Sequence, residues 1–286
     1  MARIAIIGGG SIGEALLAGL LRAGRQTKDL VVAEKDPARG KYLADTHSVQ
    51  VTSVGDAAEN AVYVVVAVKP ADVESVLGEI AVAVGRAEND SVEQVFVTVA
   101  AGVTTAYFES KLPAGAPVVR VMPNAPVVVG GGVSAVARGS FATAEQLKDV
   151  MDIFDAVGGV LEVPESQIDA VTALSGSGPA YFFLMAEALV DAGVAVGLPR
   201  PVATDLVSQT MAGSAAMLLD SLDRRRQDGD STMDTTPAAL RATVTSPGGT
   251  TAAGLRELER GGLRAAVADA VAAAKTRSEQ LGITSE

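Results

Sequence analysis

The chain of 286 residues has no cysteine, no tryptophan and a single histidine, His47. Lack of cysteine removes disulfides, thiolate catalysis and most zinc sites at once. One histidine cannot build a metal site of two or more imidazoles. A His-based triad is excluded as well, because His47 sits in a polar Thr46-His47-Ser48 turn and reads as a surface residue. No metal is expected. Basic residues are scarce: 23 Lys and Arg face 34 Asp and Glu, for a formal charge of −11. Without a basic stripe, nucleic acid and anionic membranes are poor partners. The one dense basic cluster, Arg224-Arg225-Arg226, stands beside Asp223, Asp228 and Asp230 and reads as a solvated polar loop. No uninterrupted apolar stretch reaches the length of a membrane span. A strand begins by residue 3 with no charged segment or apolar run before it, so no signal peptide is expected. The chain reads as soluble and cytoplasmic.

What is present begins with glycine. Arg3-Ile4-Ala5-Ile6-Ile7 has the composition of a buried strand and runs directly into Gly8-Gly9-Gly10-Ser11-Ile12-Gly13. An apolar helical pattern follows through Ala15, Leu16, Leu17, Leu20 and Leu21, with Gly24 as a stop. Glycines spaced G-x-G-x-x-G between strand and helix permit a tight turn, close pyrophosphate approach and helix–strand packing, as in a Rossmann-type dinucleotide site. A second strand, Leu30-Val31-Val32-Ala33, ends at Glu34. That is about 20 residues past the last glycine, where a ribose-binding carboxylate is expected.

Strands and helices then alternate. Helices are expected at 37–46, 56–60, 73–84 and 144–157, and strands at 49–51, 62–68, 95–99, 118–121 and 133–137. Lys69-Pro70 ends the 62–68 strand, and residues 86–94 form a charged surface connection. This order predicts an α/β fold, a doubly wound, mostly parallel sheet with helices on both faces. Beyond Val163-Pro164-Glu165 only helical patterns remain: 168–174, 179–193, 201–220, and 252–281 with a break at Gly261-Gly262. The chain therefore divides into a Rossmann-type domain, residues 1–163, and an all-helical domain, residues 164–286. The 179–193 helix is apolar nearly all round, through Tyr181, Phe182, Phe183, Leu184, Met185, Leu189 and Val190. A helix without a wet face must be buried on every side. A helical domain of about 120 residues can hardly enclose it and the next helix alone, so a second subunit is expected to cover them. Residues 223–237, polar and punctuated by Gly and Pro, read as a mobile loop.

A second glycine-rich signal lies in the helical half, where Thr245-Ser246-Pro247-Gly248-Gly249-Thr250-Thr251 precedes a helical pattern over 252–260. First-turn N–H groups lack intrahelical partners and carry partial positive charge. Glycines admit a close approach and hydroxyls add donors. The segment reads either as an ordinary capped helix start or as a site for a carboxylate or phosphate. Ligands of an open parallel sheet lie outside the carboxyl ends of its strands. That edge collects residues 8–13, Glu34, Ala67-Val68-Lys69-Pro70, Ala100-Ala101-Gly102 and the rigid turn Met122-Pro123-Asn124-Ala125-Pro126. With a nicotinamide cofactor there, the reaction class is hydride transfer. A substrate carboxylate at the helix start gains about 0.3–1 kcal/mol from the dipole. With no histidine nearby, an acceptor that needs no strong acid fits best, and a protonated imine is one.

Six motifs occur in a telling order: the glycine run at 8–13, Ala-Val-Lys-Pro at 67–70, Ala-Ala-Gly at 100–102, Arg-Val-Met-Pro-Asn at 120–124, Leu-Ser-Gly-Ser-Gly-Pro-Ala-Tyr at 174–181 and Ser-Pro-Gly-Gly-Thr-Thr at 246–251. Together they resemble the pyrroline-5-carboxylate reductase family over nearly the whole chain. The resemblance implies reduction of 1-pyrroline-5-carboxylate to L-proline by NADPH or NADH. It also implies a helical C-terminal domain that interlocks in a dimer, often within larger rings. On the same basis Thr251 is the catalytic residue, meeting the ring nitrogen. Ser246, Gly248, Gly249 and Thr250 form the carboxylate cradle with it. Glu165, Ser175 and Ser177 lie near the substrate. Ile7, Gly8, Gly9, Gly10, Ser11, Ile12, Gly13, Glu34, Ala67, Val68, Lys69, Pro70, Ala100 and Ala101 bind the cofactor, and Asn124 lies near its nicotinamide. The cradle is implied to come from the partner subunit, making the dimer the catalytic unit.

Some residues depart from the family pattern. NADPH-preferring members tend to carry Ser or Thr where Glu34 stands. A carboxylate there favours a ribose 2′-OH over a 2′-phosphate, yet Lys35 and Arg39 stand ready to pair with that phosphate. Ala125 replaces a usual threonine, and the 223–237 segment is longer than in relatives. A β-hydroxyacid or 6-phosphogluconate-type dehydrogenase shares the architecture, but needs a lysine early in its helical domain; residues 166–220 hold none. A nucleotide sensor without catalysis would have no need of both glycine signals.

Overall fold

A computed structural model describes residues 2–59, 61–86, 93–228 and 234–282, without the side chains of 86 and 225–228. Its strands are β1 (Ile4–Ile7), β2 (Leu30–Ala33), β3 (Gln50–Thr52), β4 (Tyr63–Val66), β5 (Val95–Thr98), β6 (Val118–Met122), β7 (Gly132–Arg138) and β8 (Gly158–Glu162). They form one sheet in the order β3-β2-β1-β4-β5-β6-β7-β8, parallel throughout except where β6 meets β7. The helices of this half are α1 (Ser11–Arg22), α2 (Pro37–His47), α3 (Val54–Glu59), α4 (Val73–Arg86), α5 (Thr105–Lys111) and α6 (Ala144–Asp155).

Strand side chains alternate between two cores. Ile4 and Ile6 join Leu16, Leu17 and Leu20 of α1, Leu43 of α2 and Phe154 of α6. Ala5 and Ile7 join Leu77 and Ile80 of α4 and Phe108 of α5 on the opposite face. Both faces are covered, so β1 and β2 are apolar at every position. Each fully buried Ile, Val or Leu contributes about 1.5–3 kcal/mol. Local chemistry sets the helix ends: Asp36 caps α2 by accepting from Ala38 N, with Pro37 at the first position. Thr143 and Gln146 form a capping box on α6. Gly24, at φ 90°, stops α1.

Some sequence expectations need correction. No strand is expected at β8: it is a half-exposed edge strand with no fully buried residue, and its Gly158-Gly159 start reads as a break. A Cβ at Gly158 would lie 2.0 Å from Gly132 O, so glycine is what lets β8 approach β7. Helix α5 was missed because only a seven-residue segment, capped by Thr104, carries its signal. The strand expected over 62–68 ends at Val66, and Lys69-Pro70 opens a 3-10 turn instead. Asn60 and most of the 86–94 connection lie outside the described residues.

The remaining helices are α7 (Ile168–Val171), α8 (Gly178–Ala195), α9 (Arg200–Asp228), α10 (Pro237–Thr243), α11 (Thr250–Arg260) and α12 (Leu263–Leu281), with a π-helical turn, Thr172–Gly176, before α8. Two compact units result. One ends at Pro179 and takes in the chain from Val271 onward; the other is Ala180–Ala270. Helix α9 runs into the segment expected to be loop, and Arg224 pairs with Asp220 one turn away at 2.8 Å, so these charges line a helix. Residues 229–233 of that segment lie outside the described set. In the Ala180–Ala270 unit Phe182, Phe183 and Leu184 are each about two-thirds exposed. By length and composition alone the helical run Glu165–Ala195, which holds an 18-residue stretch of mean hydropathy 1.2, is one that could cross a membrane. Asp169, Glu187 and Asp191 interrupt it, which is why no such stretch stood out in the sequence.

Candidate functional site

The carboxyl ends of β1, β2, β3 and β4 open on a cleft of about 460 Å³. Of the residues expected to bind cofactor, Ile7, Gly8, Gly10, Glu34, Ala67, Val68 and Lys69 line it. Its wall also includes Thr52, Ser53, Asp72, Ser75 and Glu79, which the motifs did not single out. Their positions at the end of β3 and from the 3-10 turn into the first half of α4 are the only signal that marks them. Gly8 has φ 105°, and a Cβ on it would lie 2.7 Å from Ala67 O. Gly10 precedes α1 without any side-chain cap, and a Cβ there would stand in open space. The first-turn N–H groups of Ser11, Ile12 and Gly13 are therefore left to a ligand. A glycine floor, an open helix start and this volume fit a dinucleotide.

Gly13 closes the loop from inside, since a Cβ on it would fall 2.0 Å from Gly8 O. Gly13→Ala is expected to weaken binding of NADH and NADPH alike by at least about tenfold, because the loop must open to admit a methyl group. Equal affinity in a fluorescence titration would show that the loop geometry does not matter.

Gly9 faces away from the cleft. Its N–H donates to Glu34 Oε2 at 2.8 Å, and its C=O accepts from Arg39 Nε at 2.8 Å. Glu34 Oε1 also accepts from Asp36 N at 2.9 Å. Arg39 pairs through Nη2 with the Glu14 carboxylate and lies over the Tyr42 ring at 4.9 Å. His47 Nε2 is 3.1 Å from Glu14 Oε1 and largely shielded. His47 is thus not the surface residue that its polar neighbours suggested, because the helix turns it inward toward α1. Burial alone would raise the Glu14 carboxyl, but hydrogen bonds from His47 and Arg39 outweigh it and hold the group below its ordinary value. Lys35 Nζ lies 3.0 Å from both Asp72 oxygens. Lys69 and Pro70 are exposed. Ala100 is buried, with its N–H on Thr98 Oγ1, and Ala101 is exposed.

Two expected site residues meet beyond β6. Asn124 accepts from Val133 N at 2.9 Å through Oδ1 and places Nδ2 3.3 Å from Ser175 Oγ. Ser175 lies in the π-helical turn, where Ser177 N donates to Thr172 O at 2.9 Å. Single π turns of this kind recur at functional sites. Glu165 is placed differently. Its carboxylate accepts from Thr105 N at 2.8 Å and from Thr105 Oγ1 at 2.6 Å, and it pairs with Arg120 at 3.2 Å. Arg120 and Thr105 are both buried. Glu165→Ala is expected to cost about 2–4 kcal/mol, somewhat less than for a fully buried pair because Glu165 keeps some exposure. An unchanged urea midpoint would contradict this.

The Ala180–Ala270 unit holds the second glycine signal. Gly248 has φ 70°, and Gly249 N donates to Ser246 O at 3.0 Å, forming the turn that feeds α11. Gly249 is the N-cap and no side chain caps the helix. The first helical bond is Ala253 N to Gly249 O, at 3.1 Å. The backbone N–H groups of Thr250, Thr251 and Ala252 are therefore open, which favours the anion-site reading over an ordinary capped start. Thr250 and Thr251 are exposed in the first turn.

Comparisons agree along the chain. A family model described as pyrroline-5-carboxylate reductase dimerisation matches residues 165–281. Another, described as NADP oxidoreductase, coenzyme F420-dependent, matches residues 3–102. The pyrroline-5-carboxylate reductase of Mycobacterium leprae is 70% identical, covering 100% of this chain and 99% of the relative. That of Corynebacterium melassecola is 45% identical over 99% of each. The solved structure of the Coxiella burnetii pyrroline-5-carboxylate reductase superposes with a TM-score of 0.88 at 33% identity, covering 99% of both chains. The Plasmodium falciparum pyrroline carboxylate reductase, solved with NADP bound, gives 0.80 at 29% identity over 99% of this chain and 98% of that one.

Proposed function

The chain belongs to the pyrroline-5-carboxylate reductase family, and from that premise we propose how its own residues carry the family's reaction. The reaction reduces the cyclic imine 1-pyrroline-5-carboxylate to L-proline with NADPH or NADH, the last step of proline biosynthesis. The nicotinamide cofactor, when bound, supplies the hydride. Backbone N–H groups at Ser11, Ile12 and Gly13 hold its pyrophosphate, with Ile7, Gly8, Gly9 and Gly10 shaping the loop. Glu34 receives the ribose hydroxyls. Ala67, Val68, Lys69 and Pro70 line one side of the cleft, and Ala100 and Ala101 border the path toward Asn124.

The substrate carboxylate sits at the start of α11, held by the N–H groups of Thr250 and Thr251 and by Ser246, with Gly248 and Gly249 giving it room. Thr251 Oγ1 meets the ring nitrogen, accepting from the N–H of the protonated imine, orienting it and steadying the charge that changes there. Ser175 borders the substrate and holds Asn124 in place, while Glu165 acts on that border through Thr105 and Arg120. The functional division falls at residue 163, with a nucleotide domain before it and a substrate and dimerisation domain after. The bare apolar side chains of α8 meet a second copy of the chain, and the cradle of one protomer serves the cleft of its partner. Partners are small molecules and this second copy, not nucleic acid or membrane, and the reaction takes place in the cytoplasm.

The observation that carries this reading is the uncapped start of α11, with Thr251 in its first turn. The test is direct: supply 1-pyrroline-5-carboxylate with NADH or NADPH and follow nicotinamide absorbance. No oxidation with either cofactor would overturn it.

A further inference from the structure

We propose that this chain selects NADH over NADPH by a two-part device at the ribose end of the cleft, an inference that rests on the cleft holding a nicotinamide dinucleotide. The first part is Glu34. Gly9 N and Asp36 N hold its two oxygens at 2.8 and 2.9 Å, which fixes the carboxylate at the lip of the cleft. An ionised carboxylate only accepts hydrogen bonds, and each oxygen keeps a further lone pair. Such a group suits the two hydroxyl donors of an unmodified ribose. It opposes a 2′-phosphate, which brings negative charge and no donor.

The second part removes the cations that would answer that phosphate. Lys35 is drawn onto Asp72, with both carboxylate oxygens at 3.0 Å. This pair is exposed, and on its own it is a weak restraint. Arg39 is held far more firmly. Its Nε bonds Gly9 O, its Nη2 meets Glu14, and its guanidinium lies on Tyr42. His47 in turn steadies Glu14. Among the described residues the only other lysine on the cleft wall, Lys69, follows β4, and β1 separates that strand from β2 and Glu34.

Gly9 links the two parts. Glu34 holds its N–H and Arg39 holds its C=O, so both side chains also shape the glycine loop. A 2′-phosphate that pulled Arg39 toward it would release one side of Gly9. Selection is therefore built from an acceptor pinned in place and a cation already in use, and changing Glu34 alone leaves the second half intact.

Binding decides the matter without turnover. The protein is titrated with NADH and NADPH, followed by nicotinamide fluorescence, and with ADP and 2′,5′-ADP by calorimetry. The natural chain is expected to bind NADH at least about tenfold tighter than NADPH, and ADP tighter than 2′,5′-ADP. Glu34→Ser is expected to narrow the gap, and Glu34→Ser with Glu14→Gln, which removes the ion pair from Arg39, to narrow it further or reverse it. Equal or tighter binding of NADPH by the natural chain would overturn the proposal, as would an unchanged ratio in Glu34→Ser. The natural-chain ratios decide the first point even if a variant does not fold. Failure of pyrroline-5-carboxylate reduction with both cofactors would remove the assigned reaction but leave these binding ratios standing.

Discussion

Thr251→Ala is expected to lower kcat for pyrroline-5-carboxylate reduction by about a hundredfold, within the range for losing a positioned hydrogen-bonding or proton-transfer group. In the proposed cradle the substrate carboxylate rests on backbone N–H groups at the start of α11, which alanine retains. KM should therefore change much less than kcat. Thr251 is exposed in the first turn and caps nothing, so stability should stay within about 0.5 kcal/mol. Thr251→Ser, which keeps the hydroxyl, should recover most of the rate. Steady-state kinetics of the two variants beside thermal melts make the check. A Thr251→Ala enzyme as fast as the natural chain would remove the residue from the chemistry.

Phe183→Asp is expected to dissociate the dimer and take activity with it. Phe182, Phe183 and Leu184 stand bare on α8 at 66%, 69% and 67% exposure. A buried aromatic hides about 150–250 Å², worth about 4 kcal/mol at 25 cal/mol per Å². Two-fold symmetry counts each such residue twice. Even a third of that sum, with a carboxylate now facing an apolar partner, raises the dimer Kd by about a hundredfold or more. Sedimentation equilibrium reads the mass, and specific activity should climb again as protein concentration rises. A variant that remains a fully active dimer would show that α8 is covered by something else.

Several features of the fold were legible because they depend on near neighbours. An apolar four-residue run followed by the 8–13 glycines identifies β1 and α1, since tight turns and close backbone approach are local demands. The apolar surround of α8 identified a helix needing cover, again from composition along one element. Short or irregular pieces escaped. β8 opens on two glycines that read as a break, and only the arrival of β7 turns that break into a strand start. Helix α5, the 3-10 turn after β4 and the first turn of α4 bring Thr105, Asp72 and Ser75 to their positions without any motif. His47 reads as a surface residue because its sequence neighbours are polar, while its actual neighbour, Glu14, lies 33 positions away.

At the site the same divide holds. Residue type and short spacing mark a dinucleotide loop at one end of the chain and a glycine-rich helix start, capped or open, at the other. They also mark Glu34, Lys35 and Arg39 as a cluster of opposite charges after β2. How that cluster is used depends on the fold, because its partners are remote: Gly9 lies 25 positions from Glu34, Asp72 lies 37 from Lys35, and Glu14 lies 25 from Arg39. Strand order brings these groups within hydrogen-bond distance, and no local pattern records it. Glu165 makes the same point, since it sits beside a substrate motif in sequence yet is bound in the fold to Thr105 and Arg120. A charged side chain's role follows from which partners satisfy it, and the fold chooses the partners.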